Sequence, residues 1–181
     1  MTTKKILTNP EKIFKKSLTL IESGQYELAS KNLENARINF PKEFSFINLL
    51  AEISLRKKNL DEGINLLKKS LQINAKQPLV LVDLGIALSL NNKLDEALIF
   101  FDKSIKLDAT NIKAYKRKAI TLRQSNRLFE SIECYQKIID LSSNNIDAYI
   151  NKAELLNFAG RLDDSLHFYQ QAIKIDKENA D

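Results

Sequence analysis

The sequence predicts an all-α solenoid of antiparallel helix pairs, and three observations carry that expectation. The tetrapeptides Leu60-Asp-Glu-Gly63, Leu94-Asp-Glu-Ala97, Leu128-Phe-Glu-Ser131 and Leu162-Asp-Asp-Ser165 each begin 34 positions after the last, with Tyr26-Glu-Leu-Ala29 one period earlier. Within a period, apolar residues recur at three and four, the spacing of one helix face. Only 4 Gly and 3 Pro occur among 181 residues, too few for the many turns of a β-sandwich or barrel. A fixed period of this length marks one supersecondary unit stacked repeatedly, because a single copy cannot bury its apolar face alone.

The expected units span 10–43, 44–77, 78–111, 112–145 and 146–179, after an N-terminal extension 1–9 and before a tail 180–181. Each should hold two helices. In the third, Leu81, Leu84, Gly85 and Leu88 line one face of a first helix, Asn91-Asn92-Lys93 breaks it, and Asp95 is placed to help cap the second. That second helix buries Ala97, Leu98, Phe101 and Ile105. The break holds Gly24, Lys58, Asn92, Asn126 and Gly160 in the five units. Gly and Asn accept the left-handed conformation that ends a helix, so Lys58 is the exception, for which Asn59 offers relief.

Small residues recur where the two helices must approach: Ser17, Ala51, Gly85, Ala119 and Ala153 in the first, Ala29, Gly63, Ala97, Ser131 and Ser165 in the second. Large ones recur where the gap must be filled: Leu33, Leu67, Phe101, Tyr135 and Tyr169. Small set against large is what close packing of a helical hairpin requires.

Composition narrows the functional classes. A lone cysteine, Cys134, excludes an internal disulfide framework or a Cys-rich metal site and suits a reducing, cytoplasmic compartment. The single histidine, His167, has only Asp163 and Asp164 at helical spacing and no third ligand, so no catalytic, metal or cofactor site is expected. The most apolar run, Leu79 to Leu90, is interrupted by Asp83 and Ser89 and is shorter than the ~18 residues of a membrane span. Residues 1–10 contain only Ile6 and Leu7 as a hydrophobic stretch, short of the 7–15 apolar residues of a secretory core.

The spacing Leu81-x-x-Leu84-Gly85-x-x-Leu88 followed by Ala97-x-x-x-Phe101 resembles the tetratricopeptide repeat, a 34-residue helix–turn–helix unit. The likeness covers residues 10–179. The family's proline appears only as Pro41, and Ile13, Ile47, Leu81, Tyr115 and Tyr149 stand where its tryptophan would be. The resemblance implies a right-handed superhelix whose first helices line a concave groove that grips a peptide or helix of another protein. By register, the apolar part of that groove is Phe14, Leu18, Leu49, Val82, Ile86, Ile120 and Ile150. Its polar part includes Lys113, Lys116, Arg117, Arg123 and Asn151, with Glu52, Asp83 and Glu154 among them.

Charge sharpens the expected partner. The fourth unit is the most basic, and Lys113 and Arg117 lie one helical turn apart, placed to hold a carboxylate. The pair resembles half of the carboxylate clamp of some co-chaperones, but Asp83, Asn48 and Glu52 stand where the rest of that clamp would be. A protein or peptide ligand of acidic character is therefore expected rather than a chaperone tail. Lys outnumbers Arg 22 to 6 and no aromatic–basic interleaving appears, so neither nucleic acid nor membrane is expected. Two residues follow the fifth unit, which leaves Leu166, Tyr169 and Ile173 of the last helix open to self-association. The same open edge fits an alternative in which the array is the N-terminal recognition module of a larger enzyme of glycosyltransferase, sulfotransferase or methyltransferase type.

Overall fold

A computed structural model describes residues 9–180; most of the N-terminal extension and the last residue of the tail lie outside the described residues. These form ten helices and no strand. First helices are α1 (Pro10–Glu22), α3 (Phe44–Arg56), α5 (Pro78–Leu90), α7 (Ile112–Gln124) and α9 (Ile146–Phe158). Second helices are α2 (Tyr26–Asn39), α4 (Leu60–Ile73), α6 (Leu94–Leu107), α8 (Leu128–Leu141) and α10 (Leu162–Ala180). Every first helix starts 34 residues after its predecessor, as does every second helix. The helices fall into two compact units that divide between Asn91 and Asn92. In the first unit α1 packs on α2 and α3, α2 on α3, α3 on α4, and α4 on α5; in the second, α6 through α10 pack in succession.

First and second helices begin differently. The side chains of Asn9, Glu43, Asn111 and Asn145 each accept a backbone N–H at the start of α1, α3, α7 and α9. Gln25, Asn59, Lys93 and Arg127 head α2, α4, α6 and α8 with no such bond. Asp95 is therefore not the cap of α6. It lies one position inside the first turn, where its charge meets the positive end of the helix dipole.

All five breaks adopt left-handed backbone, with φ of 74° at Gly24, 63° at Lys58, 57° at Asn92, 58° at Asn126 and 76° at Gly160. Gln25 N–H donates to Leu20 O at 2.8 Å and Gly24 N–H to Ile21 O at 3.0 Å, the paired bonds of a Schellman motif. The same pair recurs at Lys58–Asn59, Asn126–Arg127 and Gly160–Arg161. Asn59 does not relieve Lys58, because Asn59 itself has φ of −87° and the strained residue is the lysine. The backbone bonds of the motif dictate the conformation, and the side chain at that position must accept it. A left-handed L-residue costs roughly 1–2 kcal/mol. Lys58→Gly is expected to stabilise the chain by about 1 kcal/mol, read as a higher urea midpoint with unchanged slope.

The small-against-large pattern is packed as its spacing implies. Ser17, Ala51, Ala119 and Ala153 are 0 % exposed, as are Ala29, Ala97 and Ser131 opposite them. Leu33 and Phe101 are fully enclosed, Leu67 and Tyr135 nearly so, and Tyr169 is half-buried. Two of the hydroxyls at the close approach are satisfied across the hairpin: Ser131 Oγ donates to Ala119 O and Ser165 Oγ to Ala153 O, both at 2.8 Å, whereas the buried Ser17 Oγ has no partner. Helix α5, which holds the most apolar run, buries Val80, Leu81, Val82, Leu84, Ala87 and Leu88 and so is enclosed nearly all round. No helix among the described residues is long and apolar enough to cross a membrane.

Candidate peptide-binding face

The expected groove residues divide by depth. In the first unit, Leu49 is 5 % exposed and belongs to the core cluster with Ile13, Phe46 and Ile53, while Val82 is 0 % exposed. Neither offers surface to a ligand, which corrects their place in the groove. The 34-residue register puts them on the right helices, but packing against neighbouring helices takes them out of reach. Phe14 and Leu18 lie half-buried against the same cluster, and Ile86 is half-buried on α5. Asn48 donates from Nδ2 to Gln77 Oε1 at 2.9 Å, and Glu52 pairs with Arg56 at 2.7 Å, so both are committed within the unit.

The second unit brings the remaining candidates together on α7 and α9. Lys116 Nζ lies 3.0 Å from Asp147 Oδ2, and Arg123 Nη1 lies 3.7 Å from Glu154 Oε2. Both pairs run from one first helix to the next. Between them, Ile120 and Ile150 are half-buried, each leaving part of an aliphatic side chain at the surface. Asn151 is fixed twice: its Oδ1 accepts from Tyr135 Oη at 3.2 Å and its Nδ2 donates to Asp147 O at 2.6 Å. Lys113 and Arg117 project from α7 and are exposed, with Arg117 outside both inter-helix ion pairs. Lys118, on another face of α7, is held by Asp102 at 2.7 Å. Burial opposes the Lys118 charge, but the hydrogen bond and charge of Asp102 outweigh it and raise its pKa.

Sequence reasoning placed Glu154 in the groove but missed its pairing with Arg123, and it missed the acidic partners Asp102 and Asp147 altogether. Their signal is present: 116 to 147 and 123 to 154 are both separations of 31, so one ion-pair register repeats along the face. It also missed Lys152, buried on α9 with Nζ 3.9 Å from the centroid of the Phe168 ring and bonded to Gln136 Oε1. Burial lowers its pKa, partly countered by the charge of Asp140.

His167 is exposed and stands edge-on to Phe168 at 5.5 Å, while Asp164 is engaged by Arg161 at 2.6 Å rather than by the histidine. No group of three potential metal-ligating His, Cys, Asp or Glu side chains occurs among the described residues. Cys134 is a buried free thiol on α8. Burial pushes it up to about 11, and burial likewise pushes the adjacent Tyr135 up to about 12. Both groups are favoured neutral in the fold. Their contribution is complete below the ordinary thiol pKa and is lost as pH rises through the folded values. The urea midpoint is expected to hold to about pH 8 and fall between pH 9 and 11, the thiol alone costing roughly 1 kcal/mol at pH 10. Cys134→Ala should flatten part of that fall.

The models of tetratricopeptide repeats match residues 14–78, 80–111 and 146–179, most of the chain. The chain belongs to the tetratricopeptide-repeat family. No curated protein matches it in sequence. Among solved structures it is similar to MamA, at TM-score 0.84 and 17% identity over 91% of this chain and 96% of that one. YrrB, a tetratricopeptide-repeat protein with an unusual peptide-binding site, gives TM-score 0.76 and 15% identity over 90% of this chain and 84% of its own. Pseudomonas aeruginosa PilF gives 0.78 and 16% identity over 91% and 75%. Identity this low speaks for the fold, an all-α tetratricopeptide-repeat solenoid. Such a fold is a protein–protein interaction scaffold, built of stacked surfaces rather than of an enclosed reaction centre.

Proposed function

We propose that this tetratricopeptide-repeat protein is a non-catalytic scaffold that binds an extended or helical segment of a partner along the α7–α9 face. The observation that carries the reading is the position of Arg117, exposed on the helix that also presents half-buried Ile120, while Lys116 and Arg123 on that helix are tied to Asp147 and Glu154. An apolar stripe beside an uncommitted guanidinium suits a peptide carrying aliphatic anchors and a carboxylate, which Arg can meet with two parallel bonds. The same ion pairs speak for a protein segment over a polyanion, because a phosphate-tracking surface would leave its cations unpaired. A cytoplasmic setting, where Cys134 stays a thiol, fits this reading.

Selection from a phage-displayed dodecapeptide library should enrich sequences that pair Asp or Glu with Leu or Ile. Arg117→Glu and Ile120→Arg should each weaken the selected peptide by at least about tenfold with helix content unchanged. Equal affinity for these variants and the wild type would remove the face from consideration.

A second reading rests on α10. Leu162, Leu166 and Ile173 are 64%, 58% and 56% exposed on one side of that helix, whereas Ile132 and Ile139, one period before the latter two, are both 8% exposed. An exposed apolar face of this kind fits self-association, or the seat of a further domain such as the enzyme module considered above. Light scattering should show dimers at high micromolar concentration that Leu166→Glu/Ile173→Glu dissolves; a strict monomer would exclude self-association.

A further inference from the structure

Successive copies of one unit make this chain its own reference, and one inter-repeat junction departs from the others. The position of the second helix that holds buried Ile64, Leu98 and Ile132 holds Ser30 in α2. The position of the first helix that holds Leu88, Leu122 and Leu156, none more than 1 % exposed, holds Ser54 in α3. Both serines line the same cleft of about 300 Å³ between α2, α3 and α4. Two large-to-small replacements that meet at one junction leave that space. Replacements of this kind are costly when nothing fills the space, and an accidental void is normally apolar.

This one has a mixed lining. Leu50, Ile53 and Leu66 form an apolar wall, and Glu34 and Glu62 contribute carboxylates. Glu62 Oε2 accepts from Ser54 Oγ at 3.0 Å and from Asn59 Nδ2 at 2.9 Å, both neutral donors. Its negative charge is therefore oriented but not cancelled. Glu34 shares its charge with Arg37 at 3.0 Å, and Lys57, which also lines the cleft, pairs its ammonium with Glu27 at 3.1 Å.

We propose that the cleft is a second binding site, on the second-helix side of the first unit, that receives a lysine or arginine side chain of a protein partner. The aliphatic stem lies along Leu50, Ile53 and Leu66, and the cationic head meets Glu62, with Glu34 adding to the field. Charge complementarity selects this occupant, because an acidic side chain would face the carboxylates of Glu34 and Glu62. The site is independent of the α7–α9 face, and either can fail alone.

The test is a titration of the ¹⁵N-labelled protein with acetyl-Leu-Lys-Leu-amide, acetyl-Leu-Arg-Leu-amide and acetyl-Leu-Glu-Leu-amide. Millimolar basic tripeptide is expected to shift amide signals of Ser30, Ser54 and Glu62, and the glutamate tripeptide to leave them in place. Ser30→Ile/Ser54→Leu restores the residues of the other junctions and should abolish the shifts while keeping the fold. Glu62→Gln, which keeps the shape and both neutral donors' partner, should weaken binding by about tenfold. Absence of localised shifts, equal shifts from the glutamate tripeptide, or undiminished binding by a folded filled variant would each overturn the proposal. Should the filled variant not fold, unchanged affinity in Glu62→Gln overturns it alone.

Discussion

Phe101→Ala is expected to destabilise the protein by roughly 3–5 kcal/mol, the largest effect of any single truncation considered. The ring is 0 % exposed on α6, at the position that Leu33, Leu67, Tyr135 and Tyr169 hold in the other units. No part of the ring reaches solvent, so its whole surface is in contact with neighbouring groups. Removing the ring therefore loses both its burial and the contacts that its neighbours made with it. In a stacked architecture there is no central core to share the loss, and it falls on the helices beside it. Circular dichroism should show a melting midpoint lowered on the order of 10 °C. Hydrogen exchange should accelerate first in α6 and α7. A shift of less than a degree would mean that the register assigned to the second helices is wrong.

How much of this was legible in the sequence follows from what a period can encode. The helix starts and the left-handed breaks were legible, because an undisturbed spacing repeats every local signal at a known offset. Side-chain depth was not. Val82 and Ile150 hold the same position two periods apart, yet Val82 is buried and Ile150 half-open, a difference made by neighbouring helices. The cap of α6 misled for a related reason: Asp95 has the chemistry of an N-cap but sits two positions past the cap residue Lys93, where only its charge matters. Lys58 shows the converse, a backbone motif strong enough to override the preference of the residue within it. The ion-pair ladder of α7 and α9 and the two serines of the α2–α4 cleft were present in the text. They required comparing positions one period apart by what differs rather than by what recurs.

Ala51→Leu is expected to cost about 3 kcal/mol, and it tests the other half of the packing rule. How tightly α3 and α4 approach is measured at Gly63, where an added Cβ would sit 2.5 Å from Leu55 Cδ2 and 3.6 Å from Ala51 O. Ala51 itself is 0 % exposed. A leucine there must push α4 outward or adopt a strained rotamer, and α3 cannot yield because α1, α2 and α4 all pack on it. The equivalent Ala153→Leu should be milder, by about 1 kcal/mol, although it also strains the bond from Ser165 Oγ to Ala153 O. Among the described residues helix α10 packs chiefly on α9, and Leu162, Leu166 and Ile173 on its other side are exposed, so it is freer to shift. Urea midpoints for the two variants should therefore rank Ala51→Leu well below Ala153→Leu. The reverse order would show that α10 is held from its exposed side, as a self-associated chain would hold it.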